Sequence, residues 1–184
     1  MKSEKEIMLE GGMYDPNDPI LVVDRIMARN LSLQYNSLAE NEVDAKKNIL
    51  RKLIPNAGIN LGIQAPFFCD YGYNIICGDH VFFNFNCIIL DVTYVKIGSR
   101  TMCGPNVQIY TATHPVNHKE RSSGREYSKP ITIGEDVWLG GSVVICPGVT
   151  IGDRAVIGAG SVVTKDIPND VFAAGNPCRV IKKI

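Results

Sequence analysis

The sequence predicts an all-β solenoid, a parallel β-helix of six-residue repeats opened by N-terminal α-helices and interrupted by one extruded loop. Three observations carry this. Ile133, Leu139, Ile145, Ile151, Ile157 and Val163 fall six residues apart. The offset register Ile131, Val137, Val143, Val149, Ala155 and Ser161 is apolar or small throughout. Between Tyr110 and Pro130 the repeat stops, in a polar stretch that holds two of the three histidines. The spacing is not helical, because a 3.6-residue period drifts out of phase within two repeats. A six-residue unit makes one short strand and one corner, with one inward side chain per strand. Stacked coils then pair their strands in parallel and bury a continuous apolar column. Gly134, Gly140, Gly152 and Gly158 each follow an inward residue and are expected to let the chain turn.

The N-terminal portion reads differently. Asp18-Pro19 suits a cap and first turn, opening a helix of roughly Pro19 to Ala39 with Leu21, Ile26, Met27 and Leu31 on a broad apolar face. A second helix, roughly Glu42 to Leu53, stops ahead of Pro55 and turns Val43, Ile49, Leu50 and Leu53 to one side. Both are expected to cap the open end of the coil, where bare strand edges would invite further pairing. The chain thus divides into a helical cap over 1–56 and a coil over 57–184, with a loop over 110–130 and a short C-terminal tail. Ahead of the loop the repeat is fainter. Cys77, Phe83 and Ile89 are six apart, and so are Ile97, Cys103 and Ile109 after a slip of two near Asp91 and Val92. Phe67 to Ile109 therefore forms the first coils. A loop as long as the one that follows is uncommon in a tight array and often functional.

Composition narrows the function classes. The length of 184 residues suits one domain. A formal net charge of +0 gives no general pull toward nucleic acid or anionic membrane. The charged start resembles no signal peptide, and no window reaches the roughly 18 apolar residues of a membrane span, so a cytoplasmic location is expected. Cys69, Cys77, Cys87, Cys103, Cys146 and Cys178 form no C-x-x-C pair and read as small buried thiols. No glycine-rich phosphate loop is present. His114, in Thr-His-Pro at the start of the loop, is the best candidate base, with a solvated loop histidine as the plain alternative.

The segments CDYGYNI from Cys69, FFNFNCIILDV from Phe82, IYTATHP from Ile109, the repeat run from Ile131 and the close AAGNPCRVIKKI carry a family likeness. Through them the chain resembles the maltose/galactoside O-acetyltransferase group of hexapeptide-repeat acyltransferases over nearly its whole length, leaning toward the maltose branch. The resemblance implies a left-handed coil of three strands per turn, a hand that periodicity does not show and that runs against the usual right-handed crossover. It implies a homotrimer with acetyl-CoA between subunits, and transfer of the acetyl group to a hydroxyl of a sugar such as maltose, glucose or a galactoside. Another acceptor, an amino sugar or a xenobiotic, is the alternative within this chemistry.

The same resemblance assigns roles. His114 is the general base; Glu126, whose match in galactoside enzymes is not always acidic, is read from the residues alone as a carboxylate that could hold the imidazole tautomer, with an exposed loop glutamate as the other reading. Asn84 contacts the acceptor near the reacting centre, with Asn86 as its rival; either could instead be a corner asparagine. Asp70 matches a sugar-contacting position that is serine in galactoside enzymes, and can also be read as a turn former. Asp15, with Pro16 as rival, matches an acceptor-binding aspartate, whereas one further acidic ligand of galactoside enzymes falls on Val92. Backbone N–H groups at Gly140-Gly141 would face the oxyanion, a donor of this kind being worth about 3–4 kcal/mol. Trp138 would lie beside the CoA arm, buried packing being the other reading. Gly141, Ala159, Thr164, Lys165, Arg179 and Lys182 match CoA contacts, the three cations suiting its phosphates. Lys182 stands where some relatives carry arginine, which removes a bidentate contact.

Two rivals lie outside acyl transfer. A γ-class carbonic anhydrase-like metalloenzyme would need three zinc-binding histidines, and His80, His114 and His118 supply that number. His114 and His118 are four apart in a loop after Pro115, which is not helical spacing, and no metal is expected. A solenoid without catalysis would suit an unbroken repeat, which this is not.

Overall fold

The computed structural model describes residues 2–184. Helix α1 (Glu4–Leu9), unanticipated from the pattern, starts on a reciprocal cap. Ser3 Oγ accepts from the Glu6 N–H at 3.2 Å and Glu6 Oε2 accepts from the Ser3 N–H at 2.7 Å. Helix α2 (Pro19–Ser37) is capped by Asp18 Oδ1, which accepts from the Ile20 and Leu21 N–H groups. Its inward stripe is Leu21, Ala28, Ser32 and Tyr35, whereas Ile26 and Met27 point outward and are exposed. Apolar residues lie all round this helix, so pattern alone could not choose the face. The choice is made by Tyr35 and Asn36. Tyr35 Oη donates to the Ile63 carbonyl at 2.5 Å. Asn36 donates to the Phe67 carbonyl at 3.0 Å and accepts from the Phe67 N–H at 2.9 Å. Two side chains thereby stand in for the strand missing beyond the first coil. Helix α3 (Val43–Leu53) buries Leu50 and Leu53 but leaves Val43 exposed.

From Asn56 the chain winds in coils of three short strands. The first is β1 (Asn56–Ala57), β2 (Gly62–Ile63) and β3 (Phe67–Cys69), the second β4 (Ile75–Cys77), β5 (Phe82–Phe83) and β6 (Cys87–Leu90). The third is β7 (Val95–Ile97), β8 (Met102–Cys103) and β9 (Gln108–Tyr110). An excursion follows, with β10 (Ala112–Thr113), α4 (His118–Arg121) and β11 (Tyr127–Ser128). The fourth coil is β12 (Ile131–Ile133), β13 (Trp138–Leu139) and β14 (Val144–Ile145), and the fifth β15 (Thr150–Ile151), β16 (Val156–Ile157) and β17 (Val162–Val163). The expected tail is a structured end: β18 (Val171–Ala174) adds one more parallel rung, and β19 (Arg179–Lys183) returns antiparallel to it.

Strands one coil apart pair in parallel, giving a first face from β1 to β15, a second from β2 to β19 and a third from β3 to β17. The inward residues stack in register. The third face, for example, aligns Cys69, Ile89, Ile109, Ile145 and Val163. Each fully buried aliphatic side chain in these columns stabilises the coil by about 1.5–3 kcal/mol. Cys69, Cys77, Cys87, Cys103 and Cys178 are buried free thiols and Cys146 is half-buried. Burial pushes the Cys77 thiol up to about 12 and Cys87 to about 11. Helix gives way to strand at Asn56, and Ala28, Tyr35, Leu50, Leu53 and Ile54 share one buried cluster with the coil.

The corner glycines work otherwise than expected. Turning is done two residues later, at positive φ, by Asp136 (55°), Ser142 (59°) and Arg154 (58°). Gly140 must be small because the next coil lies against it: an added Cβ would meet the Ala159 nitrogen at 2.6 Å. The slip of two has a defined place. Cys69, Ile89 and Ile109 are aligned at intervals of twenty residues, Ile145 and Val163 at eighteen. The surplus lies at the third corner, between the third and first faces, where the excursion also leaves the coil. Among the described residues, no helix is long and apolar enough to cross a membrane.

Candidate active site

The enlarged third corner gathers polar groups over a small apolar pad of Met8, Tyr14, Leu21, Tyr71 and Val92. Val92 is thus buried packing and offers no acid to a ligand. Asp91, beside it, is wholly buried, and its Oδ1 accepts from the backbone N–H of Asp70 at 3.0 Å and of Tyr71 at 2.9 Å. Its Oδ2 has no partner, and desolvation pushes the carboxyl up to about 7. Asp70 is held in place by that clasp. Its carboxylate accepts from Arg29 Nη2 at 3.3 Å, while burial raises its pKa against the pull of Arg29. Arg25 donates to Tyr71 Oη at 2.9 Å and to the Pro16 carbonyl at 2.7 Å, tying the N-terminal segment to the corner.

The excursion returns on itself. Strands β10 and β11 pair antiparallel, Thr113 opposite Tyr127, so the next residues outward, His114 and Glu126, face one another. His114 Nε2 lies 3.9 Å from Glu126 Oε1. That is beyond a hydrogen bond but within electrostatic reach, and such contacts tighten when substrate closes a site. The His114 side chain is 51% exposed, enough to reach a ligand, and Glu126 is 23% exposed. The other Glu126 oxygen accepts from Tyr14 Oη at 2.6 Å. Tyr14 is buried and bridges Glu126 through the main chain as well, with N–H···O distances of 2.9 and 3.1 Å. Burial, then the neighbouring carboxylate, raises the Tyr14 pKa, so its phenol stays a donor. Asp15 follows at once. Its N–H donates to Glu4 at 2.6 Å and its Oδ1 accepts from Asn17 at 2.9 Å, so part of its carboxylate closes a local turn.

The remaining candidates lie elsewhere. Asn84, Gly140, Gly141 and Ala159 sit on the second corner, between the second and third faces. One side of the coil, roughly 15–20 Å of strand, separates them from His114 in the same chain. The two asparagines are resolved: Asn86, at φ 60°, makes the corner. Asn84 accepts from the Phe85 N–H at 2.8 Å and keeps its amide NH₂ free. The expectation of paired oxyanion donors needs correction. The Gly140 N–H donates to the Ile157 carbonyl at 2.8 Å as part of the coil ladder, leaving the Gly141 N–H as the free donor of the two. Ala159 lies one coil beyond, where the Gly160 N–H donates to the Gly141 carbonyl at 2.9 Å. Arg179 pairs with Ala174 close to this corner, and Lys182 with Phe172 on the second face. Thr164 and Lys165 follow β17 at the third corner. Trp138, 53% exposed between Met102 and Val156 on the second face, is not buried packing.

The sequence reading passed over Tyr14, Tyr71, Arg25 and Arg29. The two arginines, one helical turn apart on an otherwise apolar stretch, were a visible signal. Tyr14 had none. Among the described residues, no group of three or more His, Cys, Asp or Glu converges as metal ligands, and His80 occupies a positive-φ corner beside Asn60. Within one chain the three histidines therefore do not come together. One edge carries an imidazole with a carboxylate at its back, and another a free amide and a free backbone N–H. Brought together from two copies, these suit proton removal from a hydroxyl and stabilisation of an oxyanion.

Comparison with known proteins places the chain among hexapeptide-repeat acetyltransferases. Residues 130–165 match the family described as bacterial transferase hexapeptide (six repeats), and residues 7–58 match the maltose acetyltransferase hexapeptide capping motif. The galactoside O-acetyltransferase of Escherichia coli K12 is 45% identical over 160 residues, 87% of this chain and 79% of its own. The crystal structure of a maltose O-acetyltransferase from Clostridium difficile 630 superposes with a TM-score of 0.98 at 51% identity, covering 100% of this chain and 98% of that one. A galactoside acetyltransferase in complex with coenzyme A gives 0.96 at 41% identity, covering 100% and 92%.

Proposed function

The chain belongs to the galactoside/maltose O-acetyltransferase family of hexapeptide-repeat transferases, and from that premise we propose that it moves the acetyl group of acetyl-CoA onto a sugar hydroxyl, with His114 as general base. The observation that carries the proposal is the facing of His114 and Glu126 across β10 and β11, beside Asp70 on the enlarged corner. A neutral imidazole takes the hydroxyl proton as the oxygen attacks the thioester carbonyl. The tetrahedral oxyanion is met by the Gly141 N–H, and collapse expels the CoA thiolate, which recovers the proton from the imidazolium. Asp70 accepts hydrogen bonds from the sugar, with Asp15 beside it, and Asn84 holds the reacting hydroxyl through its free amide. Pantetheine lies along Gly141 and Ala159 near Trp138, and its phosphates meet Lys165, Arg179 and Lys182, with Thr164 alongside.

Such a site needs two chains, because Asn84 and Gly141 lie a full side of the coil away from His114. We infer a homotrimer with the site between neighbours. The surface supports it. The outward ladder of the first face, Asn56–Ile76–Lys96–Thr132–Thr150, is mostly polar. The second, Phe82–Met102–Trp138–Val156–Phe172, is apolar up to Lys182 on β19, and the third, Phe68–Ile88–Gln108–Val144–Val162, is nearly so. The two apolar faces meet at the second corner, where a neighbour's third corner would dock. The test is release of free CoA thiol from acetyl-CoA with maltose, glucose, galactosides and amino sugars, alongside light scattering. Acceptor-dependent release by a trimer is expected; release with amino sugars alone would move the acceptor class, and an active monomer would refute the shared site.

A further inference from the structure

We propose that Tyr14 is a positioning residue for the acetyl transfer: its hydroxyl fixes one oxygen of Glu126 so that the other stays turned to His114. The inference rests on the general-base reading above and adds a residue from the helical cap to it. Glu126 lies on a loop that leaves the coil, and a carboxylate there has two free side-chain torsions beyond its first. Among the described residues, one side chain removes that freedom. Tyr14 Oη donates to Oε2 at 2.6 Å, and the 3.9 Å contact with His114 Nε2 is made by Oε1. The anchor itself is rigid. Tyr14 is 1% exposed, packed with Met8, Leu21, Tyr71 and Val92, and bridged to Glu126 through both main-chain hydrogen bonds. The loop is held at its base by the same segment. Ser128 Oγ donates to the Met8 carbonyl, and Thr93 Oγ1 to the Leu9 carbonyl, each at 3.0 Å. A short hydrogen bond to a carboxylate, as from Tyr14, is of the strong, directional kind.

The charged and titratable groups around the pair are Arg25 and Tyr71 beside Tyr14, Asp70 across the corner, and Arg125 on the loop, which reaches Glu4 at 3.3 Å. Arg25 is already engaged by Tyr71 and Pro16, and Arg125 by Glu4 and the Met13 carbonyl. Neither is directed at Glu126. A carboxylate facing the imidazole favours its protonated form and keeps the proton on the nitrogen that faces it, so the opposite ring nitrogen is the one offered to the acceptor. Releasing Glu126 should therefore weaken proton acceptance and let the ring proton redistribute between its two nitrogens.

The test uses Tyr14→Phe, Glu126→Gln and the double variant in the full chain. Two readings are taken: kcat and KM with acetyl-CoA and the best sugar acceptor, and the tautomer of the His114 ring from its nitrogen chemical shifts at alkaline pH, with His80 and His118 as internal references. Tyr14→Phe is expected to lower kcat roughly tenfold, leave the acetyl-CoA KM unchanged, and move the His114 ring away from the single tautomer of the wild type. Glu126→Gln should do the same more strongly, and the double variant should match Glu126→Gln alone, because Tyr14 acts through Glu126. An unchanged His114 tautomer in Tyr14→Phe, or an effect of Tyr14→Phe that is undiminished when added to Glu126→Gln, would overturn the proposal. Wild-type protein that acetylates no sugar, yet shows the expected His114 shifts, would sink the acceptor reading and leave the positioning intact. Tyr14→Phe that fails to fold would hand the decision to Glu126→Gln, whose His114 tautomer must then change; an unchanged tautomer there overturns it equally.

Discussion

The fourth and fifth coils and the third corner of the first three coils are made by the same winding and end in different chemistry. In the later coils each side takes six residues, and the corners are finished by backbone hydrogen bonds and one positive-φ residue. Two more residues at the third corner leave main-chain N–H groups that no neighbouring coil reaches, and a buried aspartate has to meet them. Regular winding satisfies nearly every group and leaves a substrate little beyond the Gly141 N–H. The surplus residues break that closure, and arginines, aspartates, tyrosines and a histidine collect around the break.

The largest expected effect lies on the irregular side. His114→Ala should cut acetyl transfer by at least about a hundredfold while thermal stability holds, since the ring is half exposed. Near-normal thiol release would dissolve the link between the interrupted corner and the reaction. The regular side is tested by packing. Gly98→Ala places a Cβ 2.5 Å from the Glu135 nitrogen, so a loss of about 3 kcal/mol is expected in urea unfolding. Gly124→Ala, in the loop, meets nothing within 4 Å and carries only the strain of φ +74°, about 1 kcal/mol. Equal losses would mean that the coil is looser than its contacts imply.

Asp91 sharpens the contrast through pH. Its carboxyl is raised from 3.8 to about 7 by burial. The folded state therefore holds the proton more tightly than the unfolded chain. The stabilisation this gives is complete below about 4 and is lost as pH rises to about 7, a change on the order of a few kcal/mol. Asp91→Asn should gain on the wild type steadily between about pH 4 and 7 in denaturant titrations and then level off, and a constant offset would contradict it. The smallest effect belongs to the regular first corner. Arg154 pairs with Asp170 through two hydrogen bonds in full solvent, so Arg154→Ala should leave the melting temperature within error.

Much of the coil could be read in advance because a repeating side chain pattern is a direct image of a repeating backbone. The six-residue columns, the slip at Asp91 and the position of the loop follow from that. The handedness of winding did not, because an inward residue every sixth position is the same in either hand; it came only with the family resemblance. The face of α2 escaped because the decision rests on Tyr35 and Asn36 completing strand edges, not on apolar spacing. Within the site, His114 and Glu126 were visible as loop polar residues, and β10 with β11 explains why they meet. Tyr14 was invisible because it touches Glu126 across 112 residues of chain, a contact no local pattern encodes. The Gly140 N–H was misjudged because its commitment to the Ile157 carbonyl belongs to the next coil rather than to its own segment.

The far end of the coil bears on the solution behaviour of any stacked array. A parallel ladder could in principle accept another molecule's first rung and grow into a fibre. Here β19 doubles back on β18, so the outermost rung runs the wrong way to template a further parallel strand, and its exposed run of Arg179, Lys182 and Lys183 adds like-charge repulsion against another copy. With Tyr35 and Asn36 plugging the opposite end, the molecule is sealed against head-to-tail polymerisation at both termini by unrelated means.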